Sequence, residues 1–170
     1  NRFIYEFSLT SEYQINTYAV FMERILPILS YTGFYSVIIP NYWLSTKNDA
    51  KLRSSLFLEN RCLEILNVYR IFEDATVDTL IVTGNKSDRL VFPKATRIIA
   101  IDRKLNSIAD RLSSISRQAW STDKIVEFDS PNADTLISFD AKIELSETSS
   151  VADFLDGFQG MKPYEKGKGT

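Results

Sequence analysis

Phe72 is the residue whose position could do chemistry. It heads the stretch FEDATVDTLIV, where a loop enters an apolar strand. A large aromatic at the mouth of a sheet can stack on a flat ligand, or it can plug the end of the strand. On the residues alone the plug is favoured. Asn41 and Trp43, in PNYWL, are weaker candidates for ligand contact. Asn also suits the turn after a strand and Trp suits packing. Lys51 and Arg53 share a helical stretch and read as a solvated face. Near the C-terminus, Lys162, Lys166 and Lys168 with Tyr164 combine charge and an aromatic. Such a segment can track phosphates, and it reads equally well as a solvated tail.

Several chemistries lack their residues. The chain has no histidine and one cysteine, Cys62, which excludes a familiar hydrolytic triad and a structural zinc site. Glu6, Glu12 and Glu23 form no convincing acid pair. A nuclease centre is therefore not expected in this chain. The glycines are Gly33, Gly84, Gly157, Gly160, Gly167 and Gly169, and none makes a Gly-x-Gly turn between a strand and a helix. A net charge of −2 gives no global attraction to phosphate, so any nucleic-acid contact must come from local Lys/Arg clusters.

The elements that would position these residues follow from the apolar spacing. Tyr18, Phe21, Met22, Ile25 and Leu29 recur at helical spacing over 16–30, with Pro27 in the last turn and Tyr31-Thr32-Gly33 closing it. Phe34 to Ile39 is a nearly continuous apolar run, as expected of a central strand covered on both faces. A loop over 41–48 leads to a helix capped by Asn48 or Asp49 and carrying Ala50, Leu52, Arg53, Leu56 and Phe57. Strands are expected over 62–69 and 76–83, joined as an antiparallel hairpin around Phe72-Glu73-Asp74-Ala75, with a turn over 84–88. Further strands fall over 97–101 and 124–128. Between them, Asp102 caps an amphipathic helix with Leu105, Ile108, Ala109, Leu112 and Ile115 as its core stripe. Short helical pieces follow Ala141, and GMKPYEKGKGT reads as extended or disordered. At 170 residues, with 44% apolar and 25% charged residues, the chain suits one globular α/β domain or part of a larger enzyme. One cysteine suits a reducing compartment, and no apolar run reaches the length of a membrane span, which together read as cytoplasmic.

The order of the pieces resembles the adenine-specific DNA methyltransferases of restriction–modification systems, in which methylase and recognition domain share a chain. The carriers are Tyr18-Ala-Val-Phe21-Met-Glu-Arg, the apolar strand before Ile39-Pro-Asn-Tyr-Trp43-Leu, the Lys51-Leu-Arg53 helix, Phe72 with its spacing to Val77 and Thr79–Val82, and Gly160 to Gly169. The resemblance implies a partial methyltransferase (Rossmann-like) mixed sheet with the antiparallel hairpin at its edge, flanked by helices. Residues 1–150 would be the C-terminal part of the catalytic domain, and 151–170 a linker into the target recognition domain. It implies S-adenosylmethionine as the parent enzyme's methyl donor, double-stranded DNA as its partner, and a flipped-out adenine that Phe72 contacts. An endonuclease linked in the parent protein also falls within this resemblance. The family's glycine-rich donor loop and its Asn-Pro-Pro-Tyr tetrapeptide have no counterpart here. This chain alone is therefore expected to be inactive, to bind no donor, and to expose a sheet edge through which copies could pair. The alternative reading is a non-catalytic, methyltransferase-like module that docks DNA or protein; an unrelated α/β enzyme would need a site that no motif here supplies.

Overall fold

The computed structural model describes residues 7, 16–72, 76–86, 91–101 and 120–139. The chain divides into two units, Asn1–Asp140 and Ala141–Thr170, and the second lies outside the described residues. So do the expected helix over 102–115, the linker over 151–170, and Lys162, Tyr164, Lys166 and Lys168.

Within the first unit, helix α1 (Thr17–Ile28) leads into strand β1 (Phe34–Pro40). Two 3-10 turns, Tyr42–Leu44 and Lys47–Asp49, carry the chain to helix α2 (Ala50–Ser54), which continues as a π-helical turn over Ser55–Glu59. Strands β2 (Arg61–Tyr69), β3 (Thr79–Asn85), β4 (Lys94–Ile101) and β5 (Trp120–Phe128) complete a five-stranded sheet in the order β1-β3-β2-β4-β5. The expected mixed α/β architecture is borne out. Strand β3 pairs antiparallel with both β1 and β2, so β1 and β2 run the same way, and β2 pairs parallel with β4. Strand β5 returns antiparallel to β4.

Three details of the sheet differ from the sequence reading. The hairpin β2–β3 forms, but its second strand lies between β1 and β2 rather than at the sheet's edge. Strand β1, expected to be central and covered on both faces, pairs on one side only among the described residues and buries Tyr35 and Ile39 while Phe34, Ser36 and Ile38 are exposed. Gly84 and Asn85, expected in a turn, extend β3. The register explains the glycine: Gly84 stands opposite both Tyr35 and Cys62, and a Cβ there would lie 2.5 Å from the Tyr35 hydroxyl oxygen.

One face of the sheet holds the main core. Alternation in β1 and β3 directs Tyr35, Ile39, Leu80 and Val82 to it. A bulge between Cys62 and Glu64 puts Cys62 in line with Ile65 on that face. Helix α1 supplies Ala19, Met22, Ile25 and Leu26; Phe21, expected in its apolar stripe, is exposed. Trp43, Phe57 and Phe128 stack through the middle, with ring centroids 5.9 and 5.1 Å apart. Leu66, Val68, Ile99 and Ile101 form a smaller cluster on the opposite face.

Candidate functional site

Because β1 and β2 are parallel, their carboxyl ends open on the same side, where open α/β sheets place their ligands. A cleft of about 350 Å³ lies there. One wall is the loop leaving β1, with Asn41, Tyr42, Leu44 and Ser45; another is the end of β2, with Asn67 and Tyr69. The third is the segment after β5, with Ile137, Ser138 and Phe139. None of these side chains carries a formal charge. The lining is two amides, two hydroxyls, two phenols and three apolar groups, which suits a flat uncharged ligand with hydrogen-bonding edges better than a phosphate.

Each wall is held by polar contacts. The Asn41 N–H donates to the Asp78 carbonyl at 3.0 Å, tying the loop to the β2–β3 connection. Asn67 is 1% exposed, and its Oδ1 accepts from the Tyr69 N–H at 3.1 Å. The Tyr69 carbonyl accepts from Thr79 Oγ1 at 2.8 Å, and Tyr69 itself sits at φ 53° beside an irregularity in the β2–β3 register. This left-handed residue, uncommon for a side chain of that size, turns the chain out of the sheet at the cleft's rim. The third wall is strapped down by Lys124 Nζ donating to the Ser138 carbonyl at 2.8 Å and Thr122 Oγ1 to the Phe139 carbonyl at 3.3 Å. It meets the first wall where the Ile137 N–H donates to the Leu44 carbonyl at 3.2 Å.

Behind the loop lies a buried polar cluster. Arg53, expected on a solvated face, is 3% exposed, and its Nη1 donates to the carbonyls of Trp43 and Thr46, each at 2.6 Å. Burial pulls the guanidinium pKa below its ordinary value, opposed by the nearby carboxylates of Asp49 and Asp134. Asp49 accepts from the Thr46 hydroxyl and, at 3.3 Å, from the Tyr18 hydroxyl of α1. Tyr18 in turn packs edge-on against Tyr42, with ring centroids 5.4 Å apart. Burial, then the charge of Asp49, raises the Tyr18 pKa, so its hydroxyl remains a donor.

Of the residues singled out in the sequence, Asn41 lines the cleft. Phe72 stands on the connection leaving β2 and is 50% exposed, so its ring is not a buried plug; it is not among the lining residues. Trp43 is 0% exposed and stacks on Phe57, the packing its residue type suited rather than ligand contact: the chain turns at Tyr42–Leu44 and drives the indole into the core. Sequence reasoning missed Tyr42, Ser45, Asn67, Tyr69 and Ser138. Asn67 carried a usable signal, an amide in the apolar strand LEILNVY, because a buried polar side chain needs a local reason. For the others only the folded register brings them together.

The described glycines form no donor loop. Gly33 lies in the turn between α1 and β1, and Gly84 lies inside β3. Neither leads from a strand into a helix, so the described glycines do not fit the S-adenosylmethionine loop that the resemblance implies. Among them there is also no group of three or more side chains able to hold a metal ion, and no helix long and apolar enough to cross a membrane.

Residues 2–72 match the family model of the Eco57I restriction-modification methylase. The resemblance read from the sequence, to restriction–modification methylases, is borne out over that stretch, which runs from before α1 through the cleft's first two walls to Phe72. No curated protein matches the chain. Among solved structures, the M protein of the type I restriction enzyme EcoKI is similar at 17% identity and a TM-score of 0.47, over 56% of this chain and 23% of that one. The type IIG restriction endonuclease BpuSI is similar at 18% identity and a TM-score of 0.48, over 71% of this chain and 15% of that one. The chain thus spans less than a quarter of the length of either structure.

Proposed function

We propose that this chain is the C-terminal part of the catalytic domain of a restriction–modification DNA methyltransferase acting on the exocyclic amino group of adenine. The observation that carries the reading is the match of residues 2–72 to the restriction–modification methylase family. The parent enzyme would act in the cytoplasm on double-stranded DNA with S-adenosylmethionine as donor. In this reading the donor and the acceptors that bind the target amino group are held by residues outside this chain. The chain's part is to receive the base.

A base in a duplex hides its amino group in the stack, so it must be extruded before it can react. The uncharged cleft at the carboxyl ends of β1 and β2 has the amides, hydroxyls and aromatic faces that an extruded base requires. Phe72, half exposed at the same end of the sheet, offers a ring on which the base can stack as it leaves the duplex. Such stacking contributes about 1–3 kcal/mol. Lys162, Tyr164, Lys166 and Lys168 are proposed as weaker backbone contacts leading to the recognition region.

The test is transfer of a labelled methyl group to duplex DNA by the full-length parent, comparing wild type with Phe72→Ala. Wild type should label adenine, and the variant should lose roughly tenfold to a hundredfold of its activity while melting at an unchanged temperature. A fully active variant reassigns Phe72 to packing. A wild type that transfers nothing, with or without partner subunits, makes the chain a docking module instead.

A further inference from the structure

We infer that Arg53 is the positioning residue of the cleft: its guanidinium fixes the loop leaving β1 in the one shape that presents Asn41, Tyr42 and Ser45 to a ligand. This rests on the proposal that the cleft receives the target base. Nη1 grips the carbonyls of Trp43 and Thr46, which bracket Leu44 and Ser45, two residues of the cleft wall. The intervening carbonyl of Leu44 is taken by the Ile137 N–H. Three of the four carbonyls over 43–46 are therefore held, from α2 on one side and from the segment after β5 on the other. Anchorage continues outward, since Thr46 is bonded to Asp49, and Asp49 to Tyr18 of α1.

A buried cation is a poor way to stabilise a fold, because its desolvation offsets much of the gain and a well-packed apolar residue often does as well. Here burial lowers the guanidinium pKa, and its Nε, also buried, has no hydrogen-bond partner. What the cation does supply is geometry. The guanidinium plane fixes the directions of the two N–H bonds on Nη1, so this one nitrogen holds two carbonyls, three residues apart, in a set arrangement, whereas the N–H bonds of a lysine ammonium turn freely about the end of a flexible stem. The gain is a defined loop rather than a more stable core.

The experiment combines two readouts on Arg53→Lys and Arg53→Met. In this chain, amide hydrogen exchange should accelerate about tenfold or more over 43–46 and at Ile137, with the amides of β2 and β3 unchanged. In the full-length parent, kcat for methyl transfer should fall by about tenfold while KM for DNA moves less than about twofold, the pattern of an interaction that matters only after the base has entered. Lysine should recover part of both effects. Unchanged loop exchange overturns the inference, as does acceleration spread evenly over the sheet, which would make Arg53 a general stabiliser. Loop acceleration with an unaltered kcat also overturns it. If the wild-type parent transfers no methyl group, the methyltransferase reading fails separately, and the exchange measurement alone decides whether Arg53 holds this wall.

Discussion

At the scale of single residues, the described core is set by close approaches that the sequence only half announces. Gly84 is the sharpest: a Cβ would meet the Tyr35 hydroxyl at 2.5 Å and the Arg61 carbonyl at 2.7 Å, and the second neighbour is backbone. Gly84→Ala should therefore cost about 1–3 kcal/mol, read as a lower urea midpoint with an unchanged slope. Next to it, Cys62 is buried, and burial pushes its thiol pKa up to about 12 from an ordinary 9.0. The thiol is thus neutral in the fold at pH values where the unfolded chain has already ionised. Its contribution is fully present below pH 9.0 and is lost as pH rises towards about 12, so stability should fall over that window. The limiting slope is about 1.4 kcal/mol per pH unit for each such group. Tyr35, whose pKa burial raises with help from Cys62, adds in the same direction. Urea titrations at several alkaline pH values would show the slope, and Cys62→Ala should make it shallower; a slope unaffected by the substitution would mean that the thiol ionises freely in the fold. The same burial predicts a thiol inert to exchange reagents until the protein unfolds.

The elements show where sequence periodicity succeeds and where it stops. Alternation and apolar runs located all five strands to within a few residues, because side-chain direction is a local property with period two. Position within the sheet is not local. Strand β1 read as central because FYSVII is almost continuously apolar, yet among the described residues it lies at an edge, with Phe34 and Ile38 exposed. The same blindness hid Arg53: spacing along α2 says which way it points, not that the loop over 41–46 folds onto it. Asn41 could be named from its place after a strand, whereas Tyr69 and Ser138 share the cleft only because β2 and the segment after β5 end at the same side. The edge has a consequence that can be measured. A strand edge that is left unpaired and carries exposed apolar groups is a template for another strand, and a charge placed on it opposes pairing. Sedimentation of the isolated chain should reveal a concentration-dependent dimer that Ile38→Lys abolishes. A wild-type chain that stays monomeric at high concentration would show that its edge is protected.

For the molecule as a whole, the proposed division of labour has the donor bound elsewhere and the base received here. Calorimetric titration of this chain with S-adenosylmethionine should then give no heat of binding, whereas the full-length parent should bind. Saturable donor binding by the chain alone would overturn that division. Its parts also differ in what they cost the fold. Most residues around the cleft adopt backbone shapes that any sequence tolerates. Tyr69 does not: at φ 53° a side-chain-bearing residue gives up roughly 1–2 kcal/mol that a glycine would keep. A laboratory selection for heat resistance alone would therefore drift to Tyr69→Gly, and the hardier protein that emerged would have lost an aromatic wall of its cleft. Tyr69 also packs against the cluster of Leu66, Val68, Ile99 and Ile101, so a population that retained tyrosine under that pressure would show that this packing outweighs the strain.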